Sequence, residues 1–294
     1  MSRLARTLRM IKVEHSVFAL PFALAGAWLA AGGLPPLLDL ALVVLAAVLA
    51  RSAAMAFNRW ADRDVDATNP RTAVRELPSG QLSAGYALGF TVVCAAGFVA
   101  AAWALAPICG WLALPTLVVL LGYSRLKRFT WLCHLGLGLA LGIAPVGAWL
   151  AVAKDFAPEV WAPVWIGVGV LAWTAGFDLL YAIQDIEHDR AEGLSSFAAR
   201  FGAGAARAAS GLCFLLALGA WWAAGERAGL GAAYLGGLGG VAALLALMHW
   251  LVRGGRHAAV PVAFFRVNAW VGPLYFAALW LALPEAPGDA TLGS

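Results

Sequence analysis

Residues 40–66 read LALVVLAAVLARSAAMAFNRWADRDVD: eighteen residues with one charge, Arg51, run directly into nine that carry Asp62, Asp64 and Asp66. A bilayer is crossed by about 17 to 25 predominantly apolar residues. The first part therefore reads as a membrane helix, and the second as its polar end, emerging into water with carboxylates attached. The whole chain repeats this character. Of 294 residues, 62% are hydrophobic and only 12% charged, with a mean hydropathy of +0.80, which lies outside the range of soluble domains. The expected class is all-α and polytopic. Nine spans are read, at about 16–33, 37–57, 84–105, 107–122, 132–153, 160–183, 204–224, 229–251 and 262–283, forming a single domain over 1–294.

The cations sort by side. Arg3, Arg6, Arg9 and Lys12 precede the first span, and Arg59, Arg63, Arg71 and Arg75 follow the second. Further groups follow the fourth, sixth and eighth, so sixteen of the twenty Lys and Arg fall in alternate loops. By the positive-inside rule these loops and the N-terminus face the cytoplasm of a cell (inner) membrane. The net charge of +4 then reports topology and anionic headgroups, and nucleic acid is not an expected partner. The basic segment before span one is not expected to be a cleaved signal, because Pro21 comes early and no A-x-A-like site stands out. Cys94, Cys109, Cys133 and Cys213 have no C-x-x-C spacing and read as small core hydrophobes.

Two long cytoplasmic loops, 58–83 and 184–204, hold most of the acids, and they share a frame. Asn58, Asp62 and Asp66 lie 123 positions before Tyr181, Asp185 and Asp189, so each segment ends a span with polar-x-x-x-Asp-x-x-x-Asp. Two four-span units plus a final span account for this. Residues at i, i+4 and i+8 share one stripe of a helix over about 12 Å. Asp62 and Asp66 are thus expected to point the same way, as are Asp185 and Asp189 if the helix persists to them, while Asp64 points away and reads as a solvated charge. Like charges at i, i+4 and at the negative end of a helix dipole repel, so a cation is expected between them.

Paired carboxylates suit a hard divalent ion, above all Mg²⁺, with Asp62, Asp66, Asp185 and Asp189 as ligands. The neighbouring bases Arg71, Arg75, Lys127 and Arg128 suit phosphate oxygens, and together the two sets describe a diphosphate site. A transporter is the rival class, since ionisable groups beside spans mark ion pathways. It favours acids near mid-membrane, where only Arg51, Asp178 and Arg266 stand.

With these residues in view the chain resembles the UbiA superfamily of intramembrane prenyltransferases over essentially its whole length. The resemblance rests on the nine-span layout, N-x-x-x-D-x-x-x-D at Asn58/Asp62/Asp66 and RTAVRELPSG at 71–80. It rests equally on D-x-x-Y-x-x-x-D-x-x-x-D at Asp178/Tyr181/Asp185/Asp189, YSRLKRFT at 123–130 and FG at 201–202. It implies a helical bundle around a central cavity that binds a polyprenyl diphosphate through Mg²⁺ and joins its C1 to an aromatic ring. The wording is most similar to the 4-hydroxybenzoate polyprenyltransferase type of quinone biosynthesis. FALPFALAGA, AMAFNR and KRFTWLCH are similar to a bacterial subgroup associated with menaquinone made by the futalosine route, for which a dihydroxynaphthoate acceptor is expected. Heme or a glycerol phosphate lipid are the alternative acceptors. The family's G-x-K-S-like sequence reads GLSS here, so Ser195 stands in place of a base and is left to donate a hydrogen bond to phosphate; whether Arg200 supplies the missing charge is left open by the sequence.

Other residues acquire expectations from position. Asn58 and Tyr181, one turn before the acids, are placed to orient metal water, the acceptor or the allylic cation. Arg51 lies two turns before Asn58 and is expected to pair with the acceptor carboxylate or with Asp178, or else to snorkel toward the cytoplasm. His134 reads as a polar residue packed on neighbouring backbone rather than a general base. Gly136, Gly138 and Gly142 read as close helix packing, and Trp149, Trp161 and Trp165 as an interfacial belt.

Overall fold

The computed structural model describes residues 2–12, 18–253 and 266–283, and among these every regular element is helical. In chain order the α-helices are α1 (Arg3–Met10), α2 (Leu20–Ala31), α3 (Leu37–Thr68), α4 (Ala84–Leu105), α5 (Pro107–Leu126), α6 (Cys133–Ala153), α7 (Trp161–Ala182), α8 (Ile186–Ala191), α9 (Phe197–Arg227), α10 (Ala232–Leu251) and α11 (Val271–Ala282). Seven helical stretches are long and apolar enough to cross a membrane. The expected first and last spans appear as the twelve-residue helices α2 and α11; residues 16–17 and 262–265 of those expected spans lie outside the described residues. The protein is a multi-pass membrane protein.

The repeat survives in the helix boundaries. Shifting α3, α4 and α5 by 123 gives 160–191, 207–228 and 230–249, within a few residues of the stretch Pro158–Ala191, the end of α9 and α10. α9 runs from residue 197 but is interrupted at Gly202, whose φ of 84° is open to glycine without penalty, so a short helical turn precedes its span. Thus α2–α5 match α6, α7, α9 and α10, and α11 closes the bundle.

α7 lies at the centre. Its apolar stretch is 78% buried, against 22–44% for the other six. With lipid tails as apolar as leucine, close backbone approach is what holds helices together here. A Cβ on Gly138 or Gly142 would strike the carbonyl of Leu171 or Gly167 on α7, and Gly136 is filled by Leu126, which bears out close packing at all three. On the other face, Phe22, Trp173, Trp221 and Tyr275 form one aromatic core with neighbouring ring centroids 5.1 to 6.3 Å apart. Trp161 and Trp165 are exposed as a belt requires, but Trp149 is only 3% exposed: α6 turns it inward, so it belongs to the protein core.

At 32 residues α3 is about 48 Å long, well beyond a hydrocarbon core of about 30 Å. Its last three turns therefore stand clear of the membrane interior, and these carry the acids.

Candidate active site

On α3 the helix is unbroken through the first motif. Asn58 Nδ2 donates to Asp62 Oδ2 at 3.0 Å, one turn on, so the two share a face as their spacing requires. Arg128 approaches Asp62 Oδ1 at 3.8 Å while donating to the Ala61 carbonyl at 2.6 Å. Asp66 accepts two bonds of 2.7 Å from Arg75, and its own carbonyl accepts from Thr72, which folds the segment after the helix back on it. Asp64 is exposed and pairs with its neighbour Arg63, as a solvated charge should.

The second motif departs from expectation. α7 ends at Ala182, a 3₁₀ turn covers Ile183–Asp185, and the separate short α8 follows, so Asp185 and Asp189 do not share a helical stripe. Arg71 reaches across from the first unit and binds Asp185 in fork geometry, Nη2 to Oδ2 at 2.7 Å and Nε to Oδ1 at 3.2 Å. Its Nη1 donates to the Tyr181 hydroxyl at 3.0 Å. Asp189 is fully buried, with Lys127 Nζ at 2.7 Å and the Ser196 hydroxyl donating at 2.6 Å. Each of the four acids has its own Lys or Arg beside it, where the spacing led to a cation shared between paired acids.

These groups surround one cavity of about 320 Å³ between the two units. Seven Lys and Arg line it against four Asp, namely Asp62, Asp66, Asp178 and Asp185, an excess of three positive charges that favours a multiply charged anion. Directly below lies a second cavity of about 200 Å³, walled largely by alanine and leucine of α3, α5 and α6. Arg51, Met55, Tyr123, Leu137 and Leu141 line both, and mark the level at which the polar chamber passes into the apolar one.

The description "UbiA prenyltransferase family" matches residues 19–283. The chain belongs to this family. It is similar to the 4-hydroxybenzoate octaprenyltransferases of Azoarcus sp. (strain BH72), 34% identical over 94% of each chain, and Aromatoleum aromaticum, 32% identical over 97% of each. Among solved structures it superposes on a UbiA homolog from Aeropyrum pernix K1 with a TM-score of 0.83 and 34% identity, over 91% of this chain and 98% of that one. A UbiA homolog from Archaeoglobus fulgidus bound to DMAPP and Mg²⁺ shares the fold, with a TM-score of 0.70, 18% identity, and coverage of 96% of this chain and 100% of that one. The UbiA family member described here is thus an intramembrane prenyltransferase, similar to the 4-hydroxybenzoate polyprenyltransferase type.

Against this family frame several sequence expectations need correction. Ser195 does not line the cavity: its backbone N–H holds the Lys127 carbonyl at 2.8 Å, and it is Ser196, the N-cap of α9, whose hydroxyl reaches the site. Arg200, whose part the sequence left open, is exposed, lies over the ring of Phe201 and is not among the residues lining the cavity. Arg51 donates to the carbonyl of Lys12 at 3.2 Å, and Asp178 is bonded instead to His134, with Nδ1 2.6 Å from Oδ2. His134 therefore packs against a carboxylate and not against backbone. Asn69 also joins the cavity wall, 3.4 Å from Asp185; the Asn-Pro pair ending α3 hints at a turn there but not at that contact.

The electrostatics of the loops follow from these pairs. Burial alone would lower the affinity of Lys127 for its proton, but Asp189 beside it more than offsets this and raises the ammonium pKa. Burial likewise works against Arg71, and Tyr181 with Asp185 outweighs it. Both side chains stay charged. No three acidic, His or Cys side chains among the described residues stand close enough together to hold a metal. The oxygen donors nonetheless suit Mg²⁺: Asp62, Asp66 and Asp185 share one cavity wall, each engaged by an arginine. Asp189 lies behind that wall, so its part in metal binding requires Lys127 to move away.

Proposed function

We propose that this prenyltransferase transfers a polyprenyl group from polyprenyl diphosphate to a small aromatic acid, 4-hydroxybenzoate or a dihydroxynaphthoate, with release of diphosphate and in service of quinone biosynthesis. The reaction is Mg²⁺-dependent and takes place at the cytoplasmic face of the cell inner membrane, where the N-terminus and both acidic loops lie. The carrying observation is the junction of the two cavities: a chamber with three excess positive charges opens straight into an alanine-walled apolar one. A diphosphate with an apolar tail has this division of chemistry. Names of relatives favour 4-hydroxybenzoate, while the FALPFALAGA, AMAFNR and KRFTWLCH stretches favour the naphthoate.

Asp62, Asp66 and Asp185, with Asp189 once released from Lys127, would hold Mg²⁺, which when bound neutralises the charge that develops on the leaving diphosphate. Arg71, Arg75, Lys127 and Arg128, freed from the carboxylates they now hold, bind its outer oxygens. Asn58 and Tyr181 orient groups at the wall. Arg51, at the junction, receives the acceptor carboxylate. The apolar walls exclude water, so the acceptor ring is the nucleophile that meets the allylic carbon. The long tail extends past the small cavity and between helices into lipid.

Purified protein supplied with Mg²⁺, radiolabelled polyprenyl diphosphate and a panel of acceptors tests this. A labelled 4-hydroxybenzoate or 1,4-dihydroxy-6-naphthoate product is expected. Labelling of heme or a glycerol phosphate lipid alone, or ion flux in vesicles without any product, would replace the reading.

A further inference from the structure

The His134–Asp178 pair is not used by the steps above. Both residues line the cavity, and Asp178 is the more open member, with 27% of its side chain exposed against 6% for His134. The 2.6 Å contact from His134 Nδ1 occupies Asp178 Oδ2, and His134 Nε2 is buried without a hydrogen-bond partner among the described residues. A cavity-lining carboxylate held at one oxygen leaves the other for a group in the cavity. Its height in the cavity matters as much. His134 lies one turn before Leu137 on α6, and Leu137 lines both chambers, so the pair stands just above the level where the polar chamber meets the apolar one. That is the level at which the bond between diphosphate and allylic carbon breaks if each chamber holds its part of the donor. None of the cations closest to the four motif aspartates is hydrogen-bonded to Asp178, so it keeps its acceptor capacity while they hold phosphate.

We propose that Asp178 is the catalytic base that takes the proton from the acceptor ring, and that His134 is a positioning residue that fixes the carboxylate. The inference rests on the aromatic acceptor proposed above. In the step it completes, the C1–O bond of the donor breaks and its electron pair leaves with diphosphate. A π pair of the ring forms the new C–C bond to C1, leaving the ring cationic. The C–H pair at the substituted carbon then returns to the ring, and the proton passes to the free oxygen of Asp178. Without a base there, the ring adduct persists and reverts.

The test uses the full-length enzyme with Asp178→Asn and His134→Asn, the latter keeping an N–H donor near the place of Nδ1. Asp178→Asn is expected to lower kcat by about 100-fold or more, the usual contribution of a positioned base, with KM for both substrates within about twofold. With acceptor deuterated at the reacting ring carbon, this variant should show a primary isotope effect larger than that of the wild type. His134→Asn should retain most activity and His134→Ala should lose it. A fall of less than tenfold in Asp178→Asn, a loss carried by acceptor KM alone, or no rise in the isotope effect overturns the proposal. If Asp178→Asn does not accumulate, His134→Ala with its isotope effect carries the same decision. Wild-type protein that prenylates no aromatic acid defeats the functional reading instead, so the two failures are distinct.

Discussion

On α3 the residues Asn58, Asp62 and Asp66 stand on one uninterrupted helix, whereas their counterparts Tyr181, Asp185 and Asp189 are divided among α7, a 3₁₀ turn and α8. The spacing is the same in both. Nothing in YAIQDIEHD forbids a continuous helix, since it holds neither Gly nor Pro. The break comes from what the two ends must meet: Asp185 turns to the Arg71 fork, and Asp189 is enclosed by Lys127 and Ser196. The comparison teaches that a duplicated motif is not a duplicated site. Asp62, with 30% of its side chain exposed, faces the cavity openly, while Asp189 at 0% anchors the loop that carries Lys127.

The largest effects should ignore this asymmetry. Asp62→Asn and Asp185→Asn are each expected to lower turnover by about 100- to 1,000-fold, on the scale of losing one preorganised stabiliser of developing charge, and removal of Mg²⁺ with a chelator should abolish it. Steady-state assays that find only one of the two variants impaired would break the pairing of the motifs. Stability should then separate them. Asp189→Ala leaves Lys127 beside an emptied buried site and should cost about 2–3 kcal/mol, less than for a fully buried partner because Lys127 is 38% exposed. Asp62→Ala should cost under about 1 kcal/mol, since its pair is looser and wetter. Thermal unfolding in detergent reads the difference, and equal shifts would erase the asymmetry.

Smaller effects sharpen it further. Ser196→Ala removes both a helix cap and a bond to Asp189, and should cost about 1–2 kcal/mol. The adjacent Ser195→Ala should change stability by no more than about 0.5 kcal/mol, because only its backbone is engaged. Activity of Ser195→Ala measured at limiting donor should stay within twofold of wild type; a marked rise in donor KM would return Ser195 to the phosphate site.

Much of the site was legible because it depends on spacing along helices. Asp62 answers to Asn58 at i+4, and the bases of 71–75 and 127–128, expected to hold phosphate oxygens, line the same cavity as Asp62, Asp66 and Asp185. The errors fell where a contact is set by rotation of one helix against another. Trp149 and His134 both lie on α6, and neither residue type reveals which neighbour α6 will present to it. Ser195 and Ser196 are interchangeable in composition, and the choice between them rests on where α9 begins. The cap pattern of a serine before FAAR was a local signal for the second.

By itself the amino-acid order determined a multi-pass helical protein built from two units with an acidic frame repeated at 123 residues, because the length of an apolar run and the period of a helix are local properties. Only the tertiary structure decided which acid faces the cavity and which is sealed, that Asp178 rests on His134 instead of Arg51, and that the polar chamber opens onto an apolar one. Those outcomes require helices from both units to meet, and the glycine contacts that set their separation join positions far apart in the chain.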